Sequence, residues 1–336
     1  MMQPFLSSVT RISPIAPGNF ECSRLPRDDW QTGDYVVGRV LNTAGYLKSI
    51  ELRDGRMIEV MDGGLVVGAR GEREATLEAV GSWRAIDESG IFNALTSAGL
   101  FGVTTSLSPF LTPPMPLVYE GHVSRDGSRL SMQAAVAGIP ERRFNRPVIL
   151  IVGTSMSAGK TLSGRKIVHL LTQMGLKVVG TKLTGAARYR DMLSFLDAGA
   201  AAVYDFVDAG LPSTVCDSET YSSALNKLLS LIEAADPDIV VAEAGASPLE
   251  PYNGEIAKQV LRKHVRFKLL CAQDPYAVVG VMSAFDREPD LVAGGAANTS
   301  AGIKLVKRLS GIEAMNLMEP AAMAELQVRL KKALSH

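Results

Sequence analysis

The chain has 336 residues, of which 46% are hydrophobic and 21% are charged. Domains usually contain about 100–200 residues, so we expect two domains with ordinary globular cores. The 35 basic and 35 acidic side chains cancel to a net charge of zero, which gives no indication of a nucleic-acid-binding surface. No apolar run reaches the ~20 residues that a membrane-spanning helix needs.

The cysteines and the first residues of the chain indicate the cellular compartment of the protein. The three cysteines, Cys22, Cys216 and Cys271, are widely separated, which is typical of reduced thiols rather than of a disulfide framework or a zinc site. The four histidines are scattered, which disfavours a histidine-based metal site. The start, MMQPFLSSVTRISPIAPG, lacks the basic segment and apolar core of an export signal. We therefore expect a cytoplasmic protein that does not associate with a membrane.

The first part of the chain predicts a small β-rich domain. Residues 1–32 are rich in Ser, Pro and Asn without a hydrophobic period, and we interpret them as an irregular arm. Residues 33–140 contain short apolar runs separated by turn signals such as Asp-Gly, the pattern of hairpins in a barrel or meander. The strand candidates in this region are 35–41, 46–52, 57–61 and 65–69, followed by a hairpin of 117–123 with 130–136. A turn at 68–71 predicts a short helix at 72–78, and apolar residues at helical spacing predict a second helix at 89–100. The role of this domain is not indicated.

After residue 147 the pattern changes to strands that alternate with longer helical segments. Such alternation is typical of an α/β domain with a mostly parallel sheet, which we predict for 147–336. The predicted strands are 148–152, 177–181, 201–204, 239–242, 268–271 and 291–293. The predicted helices are 160–174, 190–199, 219–235, 255–264, 275–284, 300–310 and 320–334.

A phosphate-binding loop lies between the first strand and the first helix of this domain. The strand runs into a Gly-rich loop that closes with Gly159, Lys160 and Thr161. In this context the backbone N–H groups would cradle a polyphosphate at the helix N-terminus. Lys160 would reach the β- and γ-phosphates, and the Thr161 hydroxyl would ligate Mg²⁺. The predicted phosphate-binding residues are Gly153, Thr154, Ser155, Met156, Ser157, Ala158, Gly159, Lys160 and Thr161.

The spacing of this loop carries a family resemblance. The common pattern needs a glycine at position 154, where this chain has threonine, and its glycine is Gly153. The resulting G-T-x-x-x-x-G-K-T resembles the dethiobiotin synthetase family, in which ATP-dependent ligases accompany cobyrinic acid amidases and Min-type ATPases. The resemblance covers about 148–315. It implies that Lys182, at a strand end, is a catalytic cation at the transferring phosphoryl group, and that Asp191 holds Mg²⁺. Asp191 alternatively opposes a helix macrodipole.

The strand 239–242 ends in Glu243, and an unpaired carboxylate in such a buried position is costly. A neighbouring metal nucleotide would compensate that cost. The resembling family has Glu-Gly-Ala-Gly here, whereas this chain has Glu-Ala-Gly-Ala, a departure of one residue. We predict that Thr161, Asp191 and Glu243 form an oxygen-rich Mg²⁺ site.

Further residues are candidates for base and substrate recognition. Asn298 lies where the ligases have an adenine-contacting asparagine, although asparagine also favours helix N-caps. The predicted substrate residues are Arg188, Arg190, Asp205, Asp208 and Tyr252. The stretch 197–214 also resembles a less characterised P-loop group that includes N-acyltransferases of D-glutamate, in which the loop serves an acyl-CoA.

Three functions are therefore consistent with the sequence. The first is an ATP- and Mg²⁺-dependent enzyme that phosphorylates a small carboxylate or carbamate. The second is an acyltransferase that uses the loop to bind acyl-CoA. The third is a nucleotide-dependent switch or chaperone. By analogy with the resembling family we expect a homodimer that acts on a small molecule.

Overall fold

The computed structural model describes residues 3–16, 18–245, 247–282 and 288–335. The chain divides into two compact units. The N-terminal unit contains the described residues up to Ile139, together with Ala186–Arg190 and Phe206–Ala224. The P-loop unit contains Pro140–Gly185, Asp191–Asp205 and the described residues from Leu225 onward. Two short segments of the α/β region are thus assigned to the unit of the β-rich region.

The N-terminal unit is built on a β-barrel. Its strands are β1 (Phe5–Leu6), β2 (Glu21–Ser23), β3 (Tyr35–Val40), β4 (Ser49–Glu51), β5 (Met57–Glu59), β6 (Leu65–Arg70), β7 (Glu72–Glu74), β8 (Ala79–Ser82), β9 (Ile91–Ala94), β10 (Leu100–Leu107), β11 (Pro116–Arg125) and β12 (Ser128–Arg129). The main sheet has the order β1-β6-β3-β11-β9-β10-β8-β7, and an additional β6–β10 pairing closes five of these strands into a ring. Buried side chains of the ring strands share one core, among them Val36, Val66, Phe92, Phe101 and Leu117. The predicted β-rich domain is confirmed as a barrel.

Several local predictions for this unit are wrong. Residues 72–78 begin with β7 instead of a helix, because this segment pairs with β8. Residues 89–100 contain β9, along which burial alternates with period two. The second arm of the predicted late hairpin is mostly replaced by the short helix α1 (Met132–Ala135), although its turn is correct. The arm interpreted as irregular contributes β1 and β2, which pair with β6 and β11.

The P-loop unit contains a six-stranded sheet, and the predicted α/β fold is confirmed. Its strands are β13 (Val148–Gly153), β14 (Val178–Thr184), β15 (Ala202–Asp205), β16 (Ile239–Ala244), β17 (Val265–Cys271) and β18 (Leu291–Ala293). Their order is β15-β14-β16-β13-β17-β18, and every pairing between these described strands is parallel. β13, β14 and β16 are buried along their whole lengths, as expected for a sheet covered on both faces.

Seven helices accompany these strands in the described chain. They are α2 (Lys160–Gln173), α3 (Tyr189–Asp197), α4 (Ser218–Ala234), α5 (Gly254–Leu261), α6 (Pro275–Met282), α7 (Ser300–Ser310) and α8 (Pro320–Leu334). Each corresponds to a predicted helix; the last two residues predicted for α6, Ser283 and Ala284, lie outside the described residues. None of the helices described is long and apolar enough to cross a membrane.

The strand order brings the predicted site residues to one edge of the sheet. β16 lies between β13 and β14, so the carboxyl ends of these three strands are neighbours. In the register of the sheet, Glu243 is paired with Ile151 on one side and with Lys182 on the other. Lys182 is in turn paired with Asp205 of β15. In open α/β sheets this carboxyl edge is where ligands bind.

We expect that Phe195→Ala lowers the free energy of unfolding by about 3–5 kcal/mol, the usual cost of removing a buried aromatic ring. Phe195 is fully buried on α3, and its ring occupies the space that a Cβ at Gly164 or Gly180 would need. The neighbouring Leu196 is 37% exposed, so Leu196→Ala serves as the control and should cost less than about 1 kcal/mol. Urea denaturation measures both values. Equal costs for the two variants would contradict this packing.

Candidate functional site

The phosphate-binding loop has the backbone of an anion cradle. Gly159 adopts a left-handed conformation with φ 93° and is the N-cap of α2, and no side chain caps this helix. Ser157 is also left-handed, with φ 62°. Gly159 has no side chain that could accept from the first N–H groups of α2, which is the arrangement in which a helix N-terminus binds phosphate.

Lys160 folds back along the loop instead of extending into solvent. Its Nζ donates to the carbonyl oxygen of Ser155 at 2.6 Å, and the side chain is buried. A Cβ at Gly153 would lie 2.8 Å from this Nζ, so the glycine is needed for the lysine to pass. The Ser155 hydroxyl is buried and has no hydrogen-bond partner among the described residues. A buried hydroxyl of this kind is costly unless a ligand completes its bonding.

Two of the predicted metal ligands meet at the start of α2. The Thr161 hydroxyl donates to Glu243 Oε2 at 2.9 Å, and Glu243 is only 2% exposed. A hydroxyl and a carboxylate are hard oxygen donors, which suit Mg²⁺. Across the described chain, no group of three or more His, Cys, Asp or Glu residues could hold a metal by itself. This donor pair fits a magnesium ion that takes its other ligands from phosphate and water.

Lys182 and Asp191 form a shielded ion pair near this position. Lys182 Nζ lies 2.7 Å from Asp191 Oδ2, and their side chains are 8% and 18% exposed. Asp191 was predicted as a ligand for Mg²⁺; in the structure its carboxylate binds Lys182, and the metal role stays a prediction. A Cβ at Gly245 would lie 2.7 Å from Lys182 Cε and 2.0 Å from the Thr184 carbonyl oxygen. The glycine two residues after Glu243 therefore makes room for the lysine.

The charges at this edge depend on one another. Burial lowers the pKa of Lys160, although Glu243 partly offsets the effect. Burial alone would also lower the pKa of Lys182, but Asp191, Glu243 and Asp205 hold that pKa above its ordinary value. Burial raises the pKa of Glu243, against the opposing effect of Lys182. The two lysines thus lie in a low-dielectric environment, where they would act strongly on an incoming anion.

The predicted substrate residues divide between the two units. Asp205 is buried at the end of β15 in the P-loop unit, one strand from Lys182. Arg188, Arg190 and Asp208 belong to the N-terminal unit. There Asp208 accepts two hydrogen bonds from the Arg11 guanidinium, at 2.8 and 3.1 Å, which gives it a structural role that the sequence did not indicate. The substrate roles of these residues stay predictions.

Two further predicted residues have different environments. Tyr252 is fully buried in the P-loop unit. Asn298 is exposed after β18, and Thr299 is the N-cap of α7, with its hydroxyl accepting from the Gly302 N–H at 3.1 Å. The alternative role of Asn298 as the N-cap is therefore wrong, whereas its role in base recognition stays a prediction.

Sequence reasoning missed two residues that support the phosphate-binding loop. Gln273 follows β17, and its side-chain amide donates to the Met156 carbonyl oxygen at 3.4 Å, while its backbone N–H lies 3.4 Å from the Thr154 hydroxyl. Gly294 follows β18 with φ 85°, and a Cβ there would lie 2.4 Å from the Ala158 carbonyl oxygen. The adjacent Gly294-Gly295 pair after a strand was the one available signal, since it indicates a close backbone approach.

Comparison with known proteins finds distant similarities only among solved structures. No family model and no curated protein matches the chain. The signal recognition particle receptor FtsY from Elizabethkingia anophelis is 14% identical, with 60% of this chain and 70% of that chain covered and a TM-score of 0.38. The hydrogenase maturation factor HypB from Archaeoglobus fulgidus is 16% identical, with 56% and 90% covered and a TM-score of 0.38. The signal recognition particle 54 kDa protein from Aeropyrum pernix K1, solved with GDP, is 15% identical, with 60% and 53% covered and a TM-score of 0.37. At these values the similarities do not bear on function.

We expect that Gly294→Ala weakens ATP binding about ten-fold or more, because the added methyl group must displace the backbone of the phosphate-binding loop at Ala158. Gly311→Ala is the control for a positive φ: Gly311 has φ 74° and ψ −9°, and a Cβ there meets nothing within 4 Å. Gly294, with ψ −161°, lies in a backbone region nearly confined to glycine, so its variant combines greater backbone strain with the contact to the loop. Titration with a fluorescent ATP analogue compares them, and equal affinities for the two variants would contradict the assigned contact.

Proposed function

We propose that the chain is an ATP- and Mg²⁺-dependent enzyme of the dethiobiotin synthetase-like branch, and that it activates a small carboxylate or carbamate by phosphoryl transfer. The observation that carries the proposal is the pair of buried lysines at the carboxyl edge of the sheet. Lys160 belongs to the phosphate-binding loop and Lys182 to the neighbouring strand end, and both act electrostatically on the buried Glu243. Binding a nucleotide requires the first lysine, whereas the second is what a transferring phosphoryl group needs.

The energetic cost of burying these charges favours a functional site rather than a group of charges that serves only stability. Removing an ion from water costs several kcal/mol even when it is paired, so a buried ion pair adds little to stability by itself. Lys182 nevertheless lies in register between Glu243 and Asp205 and pairs with Asp191. A cation held so firmly by acidic groups stays protonated at neutral pH and keeps its position. Those are the properties of a preorganised electrostatic catalyst.

Each residue has a defined task in the proposed reaction. When ATP binds, Lys160 Nζ leaves the carbonyl oxygen of Ser155 and binds the phosphate oxygens of ATP. Thr161 and Glu243 would hold Mg²⁺, which would neutralise charge on the phosphate oxygens. Lys182 stabilises the transferring group, and Asp191 orients Lys182. The substrate oxygen forms a bond to the γ-phosphorus while the bond to the β-phosphate oxygen breaks and ADP leaves. An amine can then displace phosphate from the activated carbonyl, and the proton that the amine loses leaves with the phosphate.

A ligand screen tests the proposed function against its two alternatives. The melting temperature is measured with ATP, GTP or acetyl-CoA, with and without Mg²⁺, for the wild type and for Lys160→Ala. A ligand at 100 times its Kd stabilises a protein by about 2.7 kcal/mol, which is readily detected. We expect Mg²⁺ and ATP together to give the largest shift, and Lys160→Ala to abolish it.

The other outcomes of the screen identify the alternatives. A shift with acetyl-CoA but not with ATP would favour the acyltransferase. A shift with ATP or GTP, without acceleration of hydrolysis by any small carboxylate or amine, would favour the nucleotide-dependent switch. If no ligand shifts the melting temperature, and Lys160→Ala changes nothing, all three functions are excluded.

We expect that Lys182→Met lowers ATP turnover in the presence of small carboxylates about 100-fold or more, while the affinity for ATP changes only a few-fold. Loss of one preorganised electrostatic group has this magnitude. Lys177→Met is the matched control, because Lys177 is exposed just before the amino end of the same strand. Steady-state kinetics and ATP titration separate the two effects. An equal loss of affinity and turnover for Lys182→Met would place Lys182 in nucleotide binding instead.

A further inference from the structure

The first two residues of helix α3 belong to the N-terminal unit, where their N–H groups bind a buried carboxylate of the same unit. Glu51, at the end of β4, is fully buried. Its Oε2 accepts from the Tyr189 N–H and its Oε1 from the Arg190 N–H, both at 2.8 Å. These are the first two residues of α3. The Ser8 hydroxyl donates to the same carboxylate at 2.5 Å.

This arrangement satisfies both the carboxylate and the helix. The first N–H groups of a helix have no partner within the helix, and a negative charge at that end is favourable. A buried carboxylate in turn needs several hydrogen bonds to balance the loss of water. Glu51 receives three such bonds. The Arg11 guanidinium lies 4.3 Å above the centre of the Tyr189 ring, so the start of α3 is held at a side chain as well as at the backbone.

We propose that Glu51 is a positioning residue for the site, which sets Asp191 against Lys182 by fixing the first turn of α3. Asp191 is the third residue of this helix, directly after the two amides that Glu51 binds. The 2.7 Å ion pair with Lys182 therefore depends on where the helix begins. The catalytic part of this proposal rests on the proposed function, whereas its structural part does not.

The consequence for Lys182 follows from its surroundings. Asp191 is the acid whose Oδ2 accepts a hydrogen bond from Lys182 Nζ, at 2.7 Å. If the first turn of α3 frays, this carboxylate moves away and the lysine loses its strongest partner. The Lys182 Nζ would then be less shielded and more accessible to amine-directed reagents. Its position at a transferring phosphoryl group would be less defined.

The test uses Glu51→Gln in the full chain, which keeps the size of the side chain and removes its charge. We expect hydrogen exchange at the amides of Tyr189 and Arg190 to accelerate about ten-fold, as for the loss of a helix cap. Acylation of Lys182 by an amine-directed reagent, followed by mass spectrometry, should increase several-fold. Glu51→Asp keeps the charge but shortens the reach, so it should give intermediate values. ATP affinity should stay within about two-fold of the wild type, while turnover falls about ten-fold.

The matched control is Glu59→Gln, because Glu59 is on β5, the pairing partner of β4, and its side chain is 67% exposed. This control should leave exchange, acylation and turnover unchanged. If Glu51→Gln does not fold, Ser8→Ala removes one bond to the same carboxylate and should give a smaller change of the same sign. Unchanged exchange at residues 189 and 190, or faster exchange with unchanged Lys182 acylation, would overturn the proposal. Faster exchange and acylation in a protein whose wild type has no ATP turnover would support the positioning role and contradict the proposed function.

Discussion

The constraint on which the site depends is the burial of opposite charges at the carboxyl edge of the parallel sheet. Lys160 and Lys182 lie near Glu243, and Asp191 binds the second lysine at 2.7 Å. Each of these groups would be costly alone in a low-dielectric environment, and none can be removed without leaving another uncompensated. A Cβ at Gly153 would meet the Lys160 side chain, and a Cβ at Gly245 would meet Lys182 and, more closely, the Thr184 carbonyl oxygen.

Much of the P-loop unit could be predicted because its determining signals are local. Apolar runs of strand length alternate with helical spacing, and each run ends in residues that only a ligand edge would explain. Glu243 was found in this way, since an acid that ends an apolar strand needs a partner, whereas Lys182 was predicted from the family resemblance. The sheet order then placed them on adjacent strands, in register with each other. The two residues are close because their strands are parallel neighbours. The sequence predicted the parallel sheet but did not specify which strands pair.

The remaining features could not be predicted because they depend on partners that are distant in sequence. The segment 89–100 has helical spacing, yet it contains a strand, since pairing with β10 and β11 determines its structure. Gly294 matters only because the Ala158 carbonyl lies where its Cβ would be. The sequence predicted Glu51 only as part of a strand, because its role depends on two backbone amides that are 138 and 139 residues away in the chain.

The most direct measurement is a crystal structure of the protein with a non-hydrolysable ATP analogue and Mn²⁺ in place of Mg²⁺, located by its anomalous scattering. We expect Mn²⁺ bound to the Thr161 hydroxyl next to Glu243, with Lys160 moved from the Ser155 carbonyl to the phosphates. We also expect Lys182, still paired with Asp191, to be directed at the γ-phosphate. An ion bound away from Thr161 and Glu243, or a γ-phosphate out of reach of Lys182, would contradict the assignment of this edge as a phosphoryl-transfer site.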